Sequence, residues 1–305
     1  MKRIGLICGG FSSEYDISIK SAHTIQKNFP PHLECILIEI SRDNWQERLQ
    51  LQGKIDAALI YTHGDPGENG KIQAFLDMLQ IPFVNSGVLA SALSFDKWYC
   101  NQFLKGFGFS VAQSRLFHLG DQIEANILVE DLGLPLFVKP ADSGSSFGIS
   151  KVKEREEIQP AFDNAFKEGR NVVAEAFLDG TEVTCGVYRS KAGLVALPLT
   201  EIVSETEFFD YAAKYDGKSK EITPARIENE IALNVQTQAK RIYELLGLSA
   251  IARIDFMIVN GTPFVIEVNT TPGFSPASIV PQMLGAADID LQDFWTEVIS
   301  VELGM

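Results

Sequence analysis

Residues 250–269 read AIARIDFMIVNGTPFVIEVN. Apolar and polar side chains alternate through both halves. Ile254, Phe256 and Ile258 fall on one side and Arg253, Asp255 and Met257 on the other; Phe264, Ile266 and Val268 oppose Val265, Glu267 and Asn269. Period two marks half-buried strands, and Asn260-Gly261 between them is a hairpin turn signal. A two-residue loop pairs Val259 with Thr262 and sets Glu267 opposite Ile254, which mixes the faces. A three-residue loop, with Gly261 in the left-handed region, pairs Ile258 with Thr262 and lets the apolar faces coincide. That register is the expected one. It gathers Arg253, Asp255, Glu267 and Asn269 on the other face, with Asp255 and Glu267 as diagonal partners about 7–8 Å apart at Cα. Two acids and an amide are hard oxygen ligands suited to a Mg²⁺ that also holds phosphates. The competing reading is a solvated sheet face with an Arg253–Glu267 ion pair.

Outward from the hairpin, Thr271-Pro272-Gly273-Phe274-Ser275-Pro276 follows directly. Gly273 there presents a bare N–H suited to an oxyanion, and Ser278 opens a helix with free N–H groups. The alternative is a rigid Pro/Gly connection with Ser278 as a simple N-cap. Upstream, the unbroken apolar run Ile4 to Cys8 ends at Gly9-Gly10 and reads as a buried parallel strand rather than a targeting peptide. Strands over 33–40, 57–62 and 82–84 alternate with helices over 17–28 and 71–79, which implies a parallel sheet with right-handed crossovers. A helix over 94–108 follows. Strands over 135–139, 149–152 and 172–178, with a helix over 154–168, form a small α+β unit. Strands predominate beyond Thr181, then helices over 228–246, 278–285 and 291–302. Boundaries near Asp96 and Gly180 divide the chain into 1–95, 96–179 and 180–305.

The chain has 305 residues, 26 Lys+Arg against 40 Asp+Glu, and a net charge of −14. That charge argues against a nucleic-acid or anionic-membrane binder, since both need a basic field. No apolar run reaches the roughly 20 residues of a membrane span. Cys8, Cys35, Cys100 and Cys185 form no CxxC pair and sit in or beside apolar stretches, so they read as small buried hydrophobes in a reducing cytosol.

Other segments carry further candidate chemistry. The small-residue loop from Ala141 to Gly148 offers backbone N–H groups and hydroxyls of the kind that cradle phosphates, although it equally suits a hairpin turn. Lys139 just before it supplies a point charge. Glu14 either meets a cationic ligand at the sheet edge or serves as a helix-start acid. His63, at the end of the third strand in a loop with three glycines, lies where ligands of α/β sheets collect. Gly9-Gly10 lacks the G-x-G-x-x-G spacing of a dinucleotide fingerprint. Lys97 and Lys214 read as ordinary surface lysines on pattern alone.

These blocks, in their joint order and spacing, resemble the D-alanine–D-alanine ligase family of ATP-grasp enzymes over nearly the whole chain. They are Gly9-Gly10 with Ser13-Glu14 and Ser18; His63-Gly64-x-x-Gly67-Glu68; Phe95-Asp96-Lys97; Val138-Lys139-Pro140 with Gly144-Ser145-Ser146-x-Gly148; Glu175 and Glu182; Asp210-Tyr211-x-Ala213-Lys214-Tyr215; Arg253-x-Asp255; and Glu267-x-Asn269-Thr270-x-Pro272-Gly273. The resemblance implies an α/β (α+β) ATP-grasp fold: an N-terminal parallel-sheet domain, a small central α+β domain and a C-terminal domain, with the nucleotide between the last two. It implies a cytoplasmic, homodimeric ligase that converts ATP and two D-alanines into dipeptide, ADP and phosphate through an acyl phosphate, for cell-wall peptidoglycan. By the same resemblance Asp255, Glu267 and Asn269 hold two Mg²⁺, or Mn²⁺. Lys97, Lys139 and Lys214 grip phosphate oxygens, and Ser145 and Ser146 close over the nucleotide. Glu175, Ala176, Phe177 and Leu178 frame the adenine, and Glu182 takes the ribose hydroxyls. Glu14 binds the first amino group and His63 lies near its carboxylate. Arg253 and the Gly273 N–H stabilise the tetrahedral intermediate. Ser278 and Ile279 receive the second carboxylate, and Tyr215 joins Glu14 and Ser145 in a closing hydrogen-bonded group. The segment 208–220 forms a mobile cover.

The sequence departs from the family pattern at several points. Phe11 and Tyr15 stand at variable positions, Asn69 replaces an acid, Phe209 a common Tyr, and Ala212 a common Glu. Relatives that make the D-alanyl–D-lactate ester often lack the equivalent of Tyr215, so its presence favours a peptide product. The competing readings are an ATP-grasp ligase for another amino-acid pair or a depsipeptide, a nucleotide-binding protein without catalysis, and an NAD-dependent oxidoreductase. The intact Arg253, Asp255, Glu267 and Asn269 set speaks against the second, and the missing glycine fingerprint against the third.

Overall fold

The computed structural model describes residues 1–142, 148–204 and 219–305. Strands β1 (Lys2–Gly9), β2 (Leu33–Ile40), β3 (Ala57–Ile60) and β4 (Phe83–Val84) form one parallel sheet in the order β2-β1-β3-β4. The expected alternation of strand and helix is present: α1 (Tyr15–Lys27) crosses from β1 to β2, the short α2 (Trp45–Arg48) follows β2, and α3 (Lys71–Met78) joins β3 to β4. Ile4, Leu6, Ile7 and Cys8 are all fully buried, as a strand covered on both faces requires.

One helix was expected over 94–108; there are two. The first, α4 (Val88–Phe95), stops at Asp96, whose backbone is extended at φ −85° and ψ 106°. The Asp96 carboxylate then caps α5 (Lys97–Gly106) by accepting from the N–H groups of Trp98 and Tyr99. A short acid that satisfies two orphan donors favours a fresh helix start over continuation. Lys97 thereby becomes the first residue of a helix.

The second sheet is antiparallel and small. It orders β5 (Ser114–His118), β6 (Leu136–Pro140), β7 (Ser150–Val152) and β8 (Asn171–Ala176) as β5-β8-β6-β7. Helices α6 (Ala125–Leu132) and α7 (Ile158–Ala165) supply its core through Leu128, Ile158 and Phe162. The third sheet contains β9 (Thr181–Ser190), β10 (Gly193–Ala196), β11 (Thr200–Ser204), β12 (Ser219–Ile222), β13 (Ile251–Val259) and β14 (Thr262–Asn269). Its order is β12-β11-β9-β13-β14, with β10 on β9. Helix α8 (Asn229–Leu245) packs on it through Val235, Ala239 and Ile242. Helices α9 (Ile279–Ala286) and α10 (Leu291–Glu302) share a core with β1 and β3 instead.

The hairpin register differs from the expected one. Val259 faces Thr262 across a two-residue turn, with Asn260 at φ 49° and Gly261 at φ 78°. Asn-Gly adopts this doubly positive turn because its twist matches the strands. The ladder shifts between Asp255 and Phe256: Phe256 pairs with Val265, but Asp255 pairs with Glu267. The expected faces therefore meet only beyond the shift, where Val268 lies opposite Ile254; nearer the turn Val265 takes the core side with Phe256, while Phe264 stands opposite Met257. Ile266 is the extra residue of a β-bulge. Asp255 and Glu267 are therefore direct cross-strand neighbours, and Arg253 stands opposite Asn269.

An aromatic group ties the N-terminal sheet to the C-terminal helices. Tyr61, Phe274, Phe294 and Trp295 are all buried, with Phe274 at 4.9 Å from Trp295 and 6.0 Å from Tyr61 between ring centroids. Each such ring contributes about 1.5–3 kcal/mol by burial. The Tyr61 hydroxyl also donates to the Pro272 carbonyl at 2.8 Å, which fixes the loop carrying Gly273. All four cysteines are free, and burial pushes the thiols of Cys8, Cys100 and Cys185 up to about 12, so they act as packing. Among the described residues no helix is long and apolar enough to cross a membrane.

Candidate active site

A cleft of about 1200 Å³ opens between the second and third sheets and reaches the C-terminal ends of β1 and β3. Glu14, His63, Lys97, Lys139, Glu175, Ala176, Phe177, Leu178, Glu182, Arg253, Asp255, Glu267, Asn269, Gly273, Ser278 and Ile279 all line it. Ser145, Ser146, Lys214 and Tyr215, and the cover expected over 208–220 as far as Lys218, lie outside the described residues.

The hairpin face forms the floor. The Arg253 guanidinium grips both oxygens of Asp255, Nε to Oδ1 at 2.8 Å and Nη2 to Oδ2 at 2.7 Å, and stands 3.9 Å from Glu267. Burial works against that cation, but Asp255 and Glu267 outweigh it and hold Arg253 above its usual range. Asn269 Nδ2 donates to Asp255 Oδ2 at 3.1 Å, and Thr184 on β9 donates to Oδ1. Lys97 brings its Nζ to 3.6 Å from Glu267. The face is thus a packed polar network and not a solvated sheet surface; side-chain exposure is 10% at Asp255 and 22% at Glu267.

Across the cleft, Lys139 is buried and pairs with Glu175 at 2.5 Å. Glu175, expected beside an adenine, therefore has its carboxylate committed to Lys139. Lys151 Nζ sits 4.1 Å from the Phe177 ring centroid, a cation over a π face at the rim. The Lys97 N–H donates to the Ala141 carbonyl at 2.9 Å, which links α5 to the start of the small-residue loop.

The N-terminal sheet supplies the third wall. Gly64 has φ 65°, and a Cβ there would stand 2.5 Å from Ser12 Oγ and 3.0 Å from Glu14 Oε2, so only glycine lets the Glu14 carboxylate approach this loop. Glu68 is buried and accepts from the Gly64 N–H at 2.8 Å. Burial and the Glu14 charge push Glu68 well above the ordinary carboxylate range. Glu68 belongs to the His63-Gly64-x-x-Gly67-Glu68 block but carried no expected role; its one signal is the fixed spacing from His63. Thr184, Glu221 and Phe137 also line the cleft and carried no sequence signal at all.

His63 is buried, 3.2 Å from the Ser21 hydroxyl, which accepts in turn from the Phe274 N–H at 3.0 Å. Burial and the Arg253 charge pull its pKa down to about 4. The imidazole is therefore neutral at pH 7. A base with a depressed folded pKa stabilises the fold above its unfolded pKa and loses that stability as pH falls. Between pH 6.5 and 4 the protein should lose up to about 3 kcal/mol through His63. Urea unfolding over that range checks this, and His63→Gln should flatten the slope.

Ser278 precedes α9 but does not cap it with its side chain. Its hydroxyl instead accepts from the Ser275 N–H at 3.0 Å and lies 2.8 Å from Ser275 Oγ. The start of α9 therefore carries no side-chain cap, and Ser278 and Ile279 line the cleft, which suits an anionic group there.

The comparisons with known proteins decide the family. The family model described as D-ala D-ala ligase C-terminus matches residues 103–300. The chain belongs to the D-alanine–D-alanine ligase family. The D-alanine–D-alanine ligase of Bacteroides fragilis is 43% identical over 320 residues, spanning 98% of this chain and 99% of that one. Two solved ligases share its architecture. The VanG D-Ala:D-Ser ligase of Enterococcus faecalis has a TM-score of 0.87 at 30% identity, covering 99% of each chain. The Bacillus anthracis D-alanine–D-alanine ligase complexed with ATP has a TM-score of 0.84 at 28% identity, covering 100% of this chain and 98% of that one. The three sheets described above are thus the ATP-grasp fold expected from the resemblance.

Proposed function

We propose that this ligase joins two D-alanines into D-alanyl-D-alanine at the expense of ATP, as a cytoplasmic, homodimeric enzyme of peptidoglycan precursor synthesis. The observation that carries the reading is one cleft in which Glu14 and His63 face Arg253, Asp255 and Glu267. Recognition groups for an amino acid and charged groups suited to phosphoryl transfer thus share one space. The division into 1–95, 96–179 and 180–305 is part of the same proposal; the grouping of the strands into three sheets supports it, while α9 and α10 pack on the first sheet.

ATP would lie between the second and third sheets, with adenine against Ala176, Phe177 and Leu178, ribose at Glu182, and phosphates at Lys97 and Lys139. The first D-alanine would offer its ammonium to Glu14 and its carboxylate to the space beside neutral His63. One carboxylate oxygen attacks the γ-phosphorus and ADP leaves, giving an acyl phosphate. The second D-alanine, its carboxylate at Ser278 and Ile279, gives up its ammonium proton to solvent and attacks that carbonyl through the free amine, which loses a further proton as the amide forms. The tetrahedral oxyanion meets Arg253 and the Gly273 N–H, and phosphate departs with the former carboxylate oxygen.

Among the described residues no three His, Cys, Asp or Glu side chains converge as a metal nest. The donor set is two carboxylates and an amide, which fits a hard divalent ion whose remaining ligands are phosphate oxygens and water. Asp255, Glu267 and Asn269 would hold Mg²⁺, or Mn²⁺, which neutralises phosphate charge when bound. Glu267→Gln removes one ligand charge and should raise the Mg²⁺ needed for half-maximal phosphate release by about tenfold or more. An unchanged titration would take Glu267 out of the metal site.

D-Serine and D-lactate are the chemical alternatives for the second substrate. Phosphate release with D-alanine alone and with D-alanine plus each alternative, with products identified by mass, tests the reading. D-Alanyl-D-alanine should dominate; a mixed product with little D-alanyl-D-alanine would overturn it.

A further inference from the structure

The acid pair in the cleft exists because β14 carries one extra residue. Below the bulge, Val259 to Phe256 pair with Thr262 to Val265 in an unbroken ladder. Continued without Ile266 as the extra residue, that ladder would place Ile266 opposite Asp255 and turn Glu267 to the other face. The bulge is therefore what sets Glu267 against Asp255. A bulged residue loses its ladder partners, and β14 is the outermost strand of its sheet, so its outward groups need partners from elsewhere.

Those partners come from α5 and the turn after it. The Asn101 side chain donates from Nδ2 to the Ile266 carbonyl at 3.1 Å, and the Val265 N–H donates to the Ser110 carbonyl at 2.8 Å. Asn101 is 6% exposed, and its Oδ1 has no hydrogen-bond partner among the described residues. An unsatisfied buried acceptor is costly, so a buried amide that keeps one is held there for its donor. Lys97 lies four residues earlier on the same helix face, with Nζ 3.6 Å from Glu267. One helix thus holds the bulge and presents a cation to the acid that the bulge creates.

We propose that Asn101 is a positioning residue: by holding the Ile266 carbonyl it fixes the bulge, and so sets where Glu267 stands for a divalent cation. The inference rests on the assignment of Asp255, Glu267 and Asn269 as metal ligands. Groups that orient a ligand from behind typically alter metal affinity 10- to 100-fold, and the effect here should fall at the lower end.

The test measures Mn²⁺ binding in the presence of ADP by calorimetry, alongside the KM for D-alanine. The variants are Asn101→Leu, which keeps the volume without the donor, and Asn101→Ser, which relieves packing and is too short to reach the carbonyl. Glu267→Gln is the reference. Both Asn101 variants should bind Mn²⁺ about tenfold more weakly, with KM for D-alanine within twofold of wild type; if the leucine variant does not fold, the serine variant decides. Mn²⁺ affinity within twofold of wild type in the folded Asn101 variants, with Glu267→Gln weakened, would overturn the positioning role alone. An unchanged affinity in Glu267→Gln would overturn the metal assignment and the inference with it. Parallel loss of Mn²⁺ affinity and D-alanine binding would mark Asn101 as merely structural.

Discussion

Arg253→Ala should lower kcat by about 10²–10³ while changing the KM for D-alanine far less. Loss of a single preorganised donor to a developing oxyanion has this magnitude. Arg253 is well placed for that task because it is already rigid: two hydrogen bonds to Asp255 fix its plane, and Glu267 lies 3.9 Å away. It would meet developing charge without reorganising. The substitution also leaves two facing carboxylates without their shared cation, so the Mg²⁺ dependence should shift as well. Arg253→Lys keeps a charge but loses the planar fork, and should fall between wild type and the alanine variant. Steady-state kinetics at saturating ATP check both; turnover near wild type in Arg253→Ala would remove Arg253 from the reaction.

Glu175→Leu should destabilise the second sheet by about 3–5 kcal/mol, the cost of leaving one member of a buried ion pair alone. Lys139 and Glu175 have side-chain exposures of only 7% and 14% and sit 2.5 Å apart on adjacent strands. The double variant Lys139→Met/Glu175→Leu replaces both charges with apolar groups and should recover most of that stability. It should not recover ATP binding, because the proposed phosphate contact at Lys139 is gone. Urea unfolding together with nucleotide titration separates the two roles. Equal stability of wild type and Glu175→Leu would show that the pair carries no structural weight.

How far the molecule was legible depends on whether the deciding force was local. The buried run Ile4 to Cys8 and the glycines after it announce a parallel strand through composition alone. The polar side of the hairpin was legible too, since alternation groups Arg253 with Asp255 and Glu267 with Asn269; the apolar side was not fully so, because Val265 and not Phe264 pairs with Phe256. The device that gathers the polar side was not legible. A three-residue turn and a two-residue turn followed by a bulge both gather the four polar side chains; Asn-Gly favours the two-residue turn locally, and the bulge lies against the distant Asn101 and Ser110, which no local pattern announces. The break at Asp96 was readable as a capping signal but was masked by helix-forming residues on both sides. Glu68 shows the other limit: its raised pKa comes from burial beside Glu14, a neighbour more than fifty positions away in the chain. The net charge of −14 excluded polyanionic partners and gave no hint that Lys97, Lys139 and Arg253 converge on one cleft.

The central claim is that phosphate leaves carrying an oxygen that began in the carboxylate of the first D-alanine. The most direct measurement supplies D-alanine labelled with ¹⁸O in its carboxylate, together with ATP and Mg²⁺, and weighs the phosphate released. The acyl-phosphate route predicts D-alanine-dependent release, one phosphate per D-alanyl-D-alanine formed, each carrying one ¹⁸O. Phosphate released without label, or released at the same rate in the absence of D-alanine, would contradict it.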